Sequence, residues 1–337
     1  MSHELSIRAN GTVEMAYVGD KPWHGKGNKL EAGLSIEQWV AAAGMDWTIE
    51  RAPVQYRIEH EGNRIYVKVP NRDVLYRSDT KAALGVVSDG YNPVQPLTVL
   101  EFFRDLTTAL DYELETAGCL FGGAKIWAAA KTPDSDWVAD RRDTMQRYLM
   151  LATACDGSMA TRAKNTAIRP VCNNTVTAAV NGAGAECKVS HRMVFDEKAV
   201  KAELGISTQS FAEMMDQMRT FAATPFTRAC AEQATRILFP TTKKDKANPG
   251  ATVDPLTTFQ GQEIMSLFGG KAKGSQFAGV MGTAYGYLNA VTEFVDHKAR
   301  AHSDDNRMES AWFGRGDDLK SLAIKTIAQV ADLEMAA

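Results

Sequence analysis

Apolar and polar residues alternate along two neighbouring segments near residue 60. The apolar positions are Val54, Tyr56, Ile58, Ile65, Val67 and Val69, and the polar positions between them are Gln55, Arg57, Glu59, Arg64, Tyr66 and Lys68. Glu61, Gly62 and Asn63 supply a turn between the segments. Because successive side chains of a strand point to opposite faces, the pattern predicts an antiparallel hairpin with one face exposed to water.

Similar patterns predict further elements on both sides of the hairpin. Ser35, followed by Gln38 three positions later, predicts the capped start of a short helix. A helix at 97–110 precedes three strands, at 112–120, 124–131 and 145–155. The last strand is apolar on both faces, so we expect it to lie in the covered centre of a sheet.

The second half of the chain has mostly helical periodicity. It predicts helices from about residue 207, at 225–239, at 257–268, at 280–300 and at 317–335. The polar, proline-flanked stretch 240–255 predicts a mobile loop. The expected fold class is therefore α+β, with an antiparallel or mixed sheet, helices on one face, and a helical C-terminal part. We expect an α+β core domain at 1–195 and a helical region at 196–337.

Composition and net charge limit the classes of partner that we expect this protein to bind. The chain has 337 residues, 45% of them hydrophobic, and a net charge of −3. No stretch is apolar enough to span a bilayer, and the N-terminus predicts no secretion signal, so we expect no membrane partner. The five cysteines are widely spread and form no paired motif, which favours a reducing cytoplasm. Because the net charge is negative, a polyanion site has to be a local basic patch.

The first candidate site lies in the stretch 161–182. Three cations there precede two adjacent asparagines, namely Arg162, Lys164, Arg169, Asn173 and Asn174. A helix starting at residue 170 would leave the cations in the loop before it, where the helix dipole already favours an anion. The alternative is that the asparagines cap neighbouring loops and the cations form a solvated face.

The second candidate site is the strand from 124 to 131. Alternation places Lys125, Trp127 and Lys131 on one face, and an exposed aromatic between cations is typical of a platform on which bases stack. Tyr91 is a further candidate for stacking. The alternative is that Trp127 belongs to the core and that the lysine side chains extend past it to solvent.

Catalytic and metal-binding patterns are weak. Cys155 and Cys172 have no partner nearby in the sequence, although His191 is a conceivable partner for Cys172. His297 and His302 are five residues apart and miss the spacing that would place them on one helical face. We therefore predict no metal site, no cofactor and no catalytic residue.

Several motifs together resemble the phage/plasmid-like protein family, a domain-of-unknown-function family found on phages, plasmids and prophages. The motifs are LGVVSDGYNPVQ, ETAGCLFGGAKIWAAAK, ATACDGSMATRAKNTAIRPVCNNTVTAAV, LNAVTEFVDH and ESAWFGRGDDLK. The resemblance implies a protein of a mobile element in the cytoplasm of a bacterial host, and it brings no established reaction. A remote likeness in the order of elements links the chain to ring-forming single-strand annealing recombinases.

The main hypothesis is a mobile-element protein that binds single-stranded DNA during recombination, annealing or replication, as a homo-oligomer. A protein-binding modulator of host restriction or defence is the second hypothesis. The third is an unrecognised enzyme that acts on nucleotides, with Asp156 and Cys172 near the same predicted helix.

Overall fold

A computed structural model describes residues 8, 11–19, 27–169, 174–177, 186–203, 208–241 and 252–332. The chain divides into two compact units. Unit 1 comprises Met1–Thr132, Leu149–Lys164 and Glu186–Gly205, and unit 2 comprises Pro133–Tyr148, Asn165–Ala185 and Ile206–Ala337. Mixed and antiparallel sheets combined with helices confirm the α+β class.

The larger sheet has eight strands. They are β1 (Met15–Val18), β2 (Asn28–Leu30), β6 (Glu113–Leu120), β7 (Lys125–Trp137), β8 (Thr144–Ala154), β9 (Thr161–Arg169), β10 (Asn174–Thr177) and β11 (Glu186–Val189). Their order is β10-β9-β8-β7-β6-β1-β2, and β11 also pairs with β9. The β1–β2 pair is parallel, whereas β6 is antiparallel to both β1 and β7, so the sheet is mixed.

The smaller sheet contains the predicted hairpin. Its strands are β3 (Ile49–His60), β4 (Asn63–Arg77) and β5 (Ala83–Ser88), in the order β3-β4-β5. Glu61 and Gly62 connect β3 to β4 with φ angles of 51° and 78°, the backbone geometry of a type I′ turn. The predicted antiparallel hairpin is confirmed, but the expectation that only one face is exposed is wrong, since Tyr56, Ile58 and Ile65 of the apolar face are exposed as well. The pairing shifts register between Pro53 and Gln55.

Two strands replace the loop and helix that were predicted around residue 170. The cations from 162 to 169 lie in β9, and Asn174 begins β10, which is antiparallel to β9 with Asn174 opposite Arg169. The predicted helix is therefore wrong over Asn174–Thr177. This segment contains the β-branched residues Thr175, Val176 and Thr177, which favour strands, and β9 provides a partner.

Ten α-helices occur in the described residues. They are α1 (Ile36–Ala42), α2 (Pro96–Glu101), α3 (Arg104–Ala109), α4 (Glu197–Glu203), α5 (Thr208–Ala223), α6 (Arg228–Leu238), α7 (Phe259–Ser266), α8 (Ala284–Glu293), α9 (Asp304–Trp312) and α10 (Arg315–Val330). The Ser35–Gln38 capping box of α1 is present as predicted. The helix predicted at 97–110 is divided into α2 and α3. None of the described helices has the length and apolar character that a bilayer crossing requires.

The helical C-terminal part has its own hydrophobic core within unit 2. One face of α5 is buried in this core, through residues that include Phe211, Met214 and Phe221. The same cluster contains Met145 of β8 and Ala167 of β9, so the helices of unit 2 pack on strand residues of that unit. Of the loop predicted at 240–255, residues 242–251 lie outside the described part of the chain.

Candidate nucleic-acid interface

Arg169 lies at the end of β9, and its guanidinium is fully buried. Its Nη2 donates to Asp143 Oδ2 at 2.7 Å, and its Nη1 donates to the carbonyl oxygen of Lys273 at 3.1 Å. The backbone of Gly274 approaches so closely that a Cβ there would lie 2.8 Å from Nη2. The ring of Tyr285 lies 5.5 Å from the guanidinium carbon. The guanidinium of Arg169 is therefore enclosed inside the protein, and its charge is neutralised by Asp143.

Lys164 and Arg162 lie on the same strand in different environments. Lys164 is buried, whereas Arg162 is half-buried and lies 3.6 Å from Glu186 Oε1 of the adjacent strand β11. Glu186 also pairs with Lys188 at 3.0 Å. Of the three predicted phosphate ligands, the structure therefore buries Lys164 and Arg169 and places a carboxylate beside Arg162.

The strand predicted to form a stacking platform is covered on both faces. Trp127 is fully buried in β7, which confirms the alternative that it belongs to the core. Lys125 is also buried, with its Nζ 5.5 Å from the centre of the Phe121 ring, and Lys131 is half-buried. The predicted solvent-facing row is wrong because every residue from Lys125 to Ala130 is buried, so both faces of this part of β7 are covered.

Tyr91 is half-buried beside His191. The two rings stack with centroids 4.3 Å apart, and the Tyr91 hydroxyl donates to the carbonyl oxygen of Ala154 at 2.7 Å. Burial raises the pKa of Tyr91, and the nearby Cys155 and Asp156 raise it further. One face of the Tyr91 ring is thus already occupied by an internal partner. Asn173 lies outside the described residues, and for Asn174 only the backbone pairing is described.

The exposed cations of unit 1 include three on the hairpin β3–β4, on the face that alternation predicted to contact water. Gln55 is opposite Lys68, Arg57 is opposite Tyr66, and Glu59 is opposite Arg64. We call these six side chains the polar face. All six are exposed, and Tyr66 has 66% of its surface in contact with solvent.

The cations of the polar face have no ion-pair partner in the part of the chain that the structure describes. Among the described residues, no carboxylate lies within 4.0 Å of the charged groups of Arg57, Arg64 or Lys68. Glu59 is the one carboxylate on this face, so three cations outnumber a single anion. Tyr66 lies between Arg64 and Lys68 along β4 and opposite Arg57 on β3. The face therefore joins an exposed aromatic ring to uncompensated positive charge.

A pocket in unit 1 has a different electrostatic character from the polar face. It has a volume of about 440 Å³ and is lined by residues of α1, α3 and β6. Arg104 on its wall is paired with Glu37 at 2.6 Å and with Glu101, whereas Asp111 and Glu113 add negative charge. This pocket does not favour a polyanion.

Two of the described cysteines, Cys155 and Cys187, do not suit nucleophilic catalysis. Burial raises the pKa of Cys155 to about 12, with a contribution from Asp156, and burial together with a hydrogen bond to Glu203 raises that of Cys187 to about 11. Both thiols are protonated near neutral pH, and a thiol is a weaker nucleophile than a thiolate. Within the described ranges, no group of three or more His, Cys, Asp or Glu side chains is arranged to hold a metal ion. Cys172 lies outside those ranges.

The family model described as Domain of unknown function (DUF932) matches residues 83–312, about two thirds of the chain. The chain belongs to this family. The buried pair Arg169–Asp143 and the strands β6–β11 lie within the match, whereas the hairpin β3–β4 precedes it. No curated protein matches the chain.

Proposed function

We propose that this DUF932 protein binds single-stranded nucleic acid through the polar face of the hairpin β3–β4. The biological setting that we propose is recombination, annealing or replication of a phage or plasmid, with the protein acting as a homo-oligomer. The observation that carries the proposal is the exposure of Tyr66 among three cations that form no ion pair with any described residue.

The chemistry of a single strand fits this face. Its phosphates require uncompensated cations, and its unstacked bases require an accessible aromatic ring, since base–aromatic stacking contributes about 1–3 kcal/mol per base. Arg57, Arg64 and Lys68 supply the positive charge, and Tyr66 supplies the ring. The cations first predicted for this role, Lys164 and Arg169, are buried, so they are assigned a structural role instead.

The experiment is a salt titration of binding to a fluorescent oligonucleotide. We compare the wild type with the variant Arg57→Gln/Lys68→Gln/Arg64→Gln, in which the polar face loses all its cations. If three phosphate contacts are lost, the slope of log K against log salt should become shallower by about 2, since each contact in a single strand contributes about 0.7.

A matched control removes the same net charge elsewhere. Arg192, Lys198 and Lys325 are exposed, and no described carboxylate forms an ion pair with them. Changing these three residues to Gln should leave the slope almost unchanged. Equal losses in the two triple variants would indicate a general charge effect and would contradict the assignment to the hairpin. A wild type that binds no oligonucleotide at low salt would contradict the function itself.

A protein-binding role is the second candidate function, and a separate observation favours it. The face of the hairpin opposite to the polar face is apolar and yet exposed. This face has no cation to hold phosphates, so an apolar protein surface suits it better than a nucleic acid does.

A further inference from the structure

The hairpin has an apolar face that no described residue of the chain covers. We call it the apolar strip, and its members are Tyr56, Ile58, Ile65, Val67, Val74 and Val86. Tyr56 is opposite Val67 and Ile58 is opposite Ile65, so these four side chains share a face. Closer to the base of the hairpin, Val74 pairs with Val86 of β5.

The strip continues past the register shift in the hairpin. Pro53 pairs with Asp73 and Gln55 pairs with Lys68, so the inserted residues belong to β4. Because alternate residues of a strand share a face, Ala52 and Tyr56 lie on the same side of β3. Ala52 is opposite Val74, and this links the distal and proximal parts of the strip.

Solvent exposure of the strip is high for apolar side chains. Val86 is 58% exposed, Tyr56 51%, and Ile58 and Ile65 are each 39% exposed. A two-stranded hairpin alone is marginally stable in water and needs a third strand or a packing surface to be secure. Beyond the part that pairs with β5, no third described strand pairs with this hairpin, and its side chains are exposed or half-buried. Covering the strip with another apolar surface should therefore stabilise the hairpin.

We infer that the apolar strip docks against the same strip of a second copy of this chain. The inference is independent of nucleic-acid binding by the polar face. Neutral side chains make up the strip, so a two-fold arrangement places apolar surface against apolar surface and brings no like charges together. A charged partner would instead be drawn to the polar face.

The charge distribution of the hairpin supports a second copy. Arg57, Arg64 and Lys68 all lie on the face opposite to the strip. If two hairpins pack through their apolar strips, the two polar faces point away from each other, separated by more than the roughly 10 Å between packed sheets. Packing through the polar faces would oppose six cations and only two carboxylates, which is electrostatically unfavourable.

The strip has only six side chains, two of them half-buried, so the interface that it can form with a second copy is small. Specific interfaces have a lower limit of roughly 1,000 Å² of total buried surface, and small interfaces are weak and reversible. We therefore expect a concentration-dependent equilibrium between monomer and dimer.

Sedimentation velocity over a range of micromolar concentrations tests the inference. The wild type should change from monomer to dimer as concentration rises. Ile58→Asp should remain monomeric, with dimerisation weakened by at least roughly 100-fold, because the new carboxylate would be buried without a partner. Gln55→Asp and Tyr66→Asp add the same charge to the polar face, so both should dimerise as the wild type does. A monomeric wild type, or a dimer that persists in Ile58→Asp, would overturn the inference.

Cross-linking provides a second measurement that does not depend on introducing a charge. Ile58→Cys should form a covalent dimer with a short bis-maleimide, whereas Arg57→Cys, one residue away on the polar face, should give only the background of the unsubstituted chain. Equal cross-linking of the two variants would also overturn the inference. Binding of a short oligonucleotide, measured at nanomolar protein concentration, should persist in Ile58→Asp, so failure of the dimer and failure of nucleic-acid binding can be distinguished.

Discussion

Arg169 of β9 and Arg57 of β3 both lie on strands, but only Arg57 can reach an anion in solution. Arg169 is enclosed by Asp143, two backbone carbonyls and aromatic rings, whereas Arg57 is exposed and no described carboxylate neutralises it. The side chains are identical, so the difference comes from what each strand packs against. A basic patch therefore consists of exposed cations that have no carboxylate nearby. The number of cations in a sequence segment is not enough to identify one.

The largest expected effect concerns the buried pair. Arg169→Met should lower the free energy of unfolding by about 3–5 kcal/mol, because it leaves the carboxylate of Asp143 buried without its counter-charge. Urea denaturation followed by circular dichroism measures the change. The double variant Arg169→Met/Asp143→Leu removes both charges and should recover much of the loss. An Arg169→Met protein as stable as the wild type would contradict a structural role for this residue.

The next expected effect concerns Trp127, the buried tryptophan of β7. Trp127→Ala should cost about 3–5 kcal/mol, the usual range for truncating a large buried aromatic side chain. Trp137 on the same strand is a matched control, since it is exposed and its ring lies 5.9 Å from the guanidinium carbon of Arg219. Trp137→Ala should cost no more than about 1 kcal/mol, the size of an exposed cation–π contact. Equal losses of stability in the two variants would argue against a special role for Trp127 in the core.

These outcomes show which parts of the fold the sequence could predict. Alternation at Tyr56 and Ile58 predicted the hairpin because a half-polar strand has a period of two wherever it packs. The same alternation suggested a platform in β7, and there it failed, since Trp127 lies in the sheet interior and both faces are covered. Periodicity describes one strand, whereas burial depends on neighbours that are distant in the sequence.

The site residues show more clearly that a local sequence pattern does not predict burial or ion pairing. Asp143 precedes Arg169 by 26 residues and Gly274 follows it by 105, so no local pattern could predict that Arg169 is neutralised. Nearby, the β-branched residues Thr175, Val176 and Thr177 favour a strand, whereas Pro170 and the small residues around them favour a helix. The prediction of a helix gave too little weight to the β-branched residues. Conversely, exposure of the apolar strip was not predictable, because alternation normally indicates that the apolar face is covered.

A smaller effect should be observed at the polar face. Tyr66→Ala should weaken binding of a single strand by about 1–3 kcal/mol, the contribution of one stacked base, while the salt dependence remains that of the wild type. Tyr56 has a similar exposure on the opposite face, so Tyr56→Ala should leave the affinity for a short strand unchanged. Fluorescence anisotropy at constant salt measures both variants. A greater loss for Tyr56→Ala than for Tyr66→Ala would assign nucleic acid to the apolar strip instead.

The smallest expected effect compares the two ends of β4. Arg64 near the turn is exposed, whereas Arg77 at the base is buried and donates to Glu14 at 2.6 Å and to Asp79 at 2.8 Å. The hydrogen bonds from Arg77 lower the pKa of Asp79 to about 2, against an opposing effect of partial burial. Since this carboxyl is more acidic in the folded protein, its contribution to stability is complete above about pH 4 and is lost as the pH falls towards 2.

We therefore expect the stability difference between the wild type and Asp79→Asn to be constant from pH 7 to pH 5 and to shrink between pH 4 and pH 2. Arg64→Gln should show no such pH dependence, because Arg64 has no carboxylate partner among the described residues. Urea denaturation at several pH values measures these differences, and a difference for Asp79→Asn that grows as the pH falls would contradict the assigned ion pair.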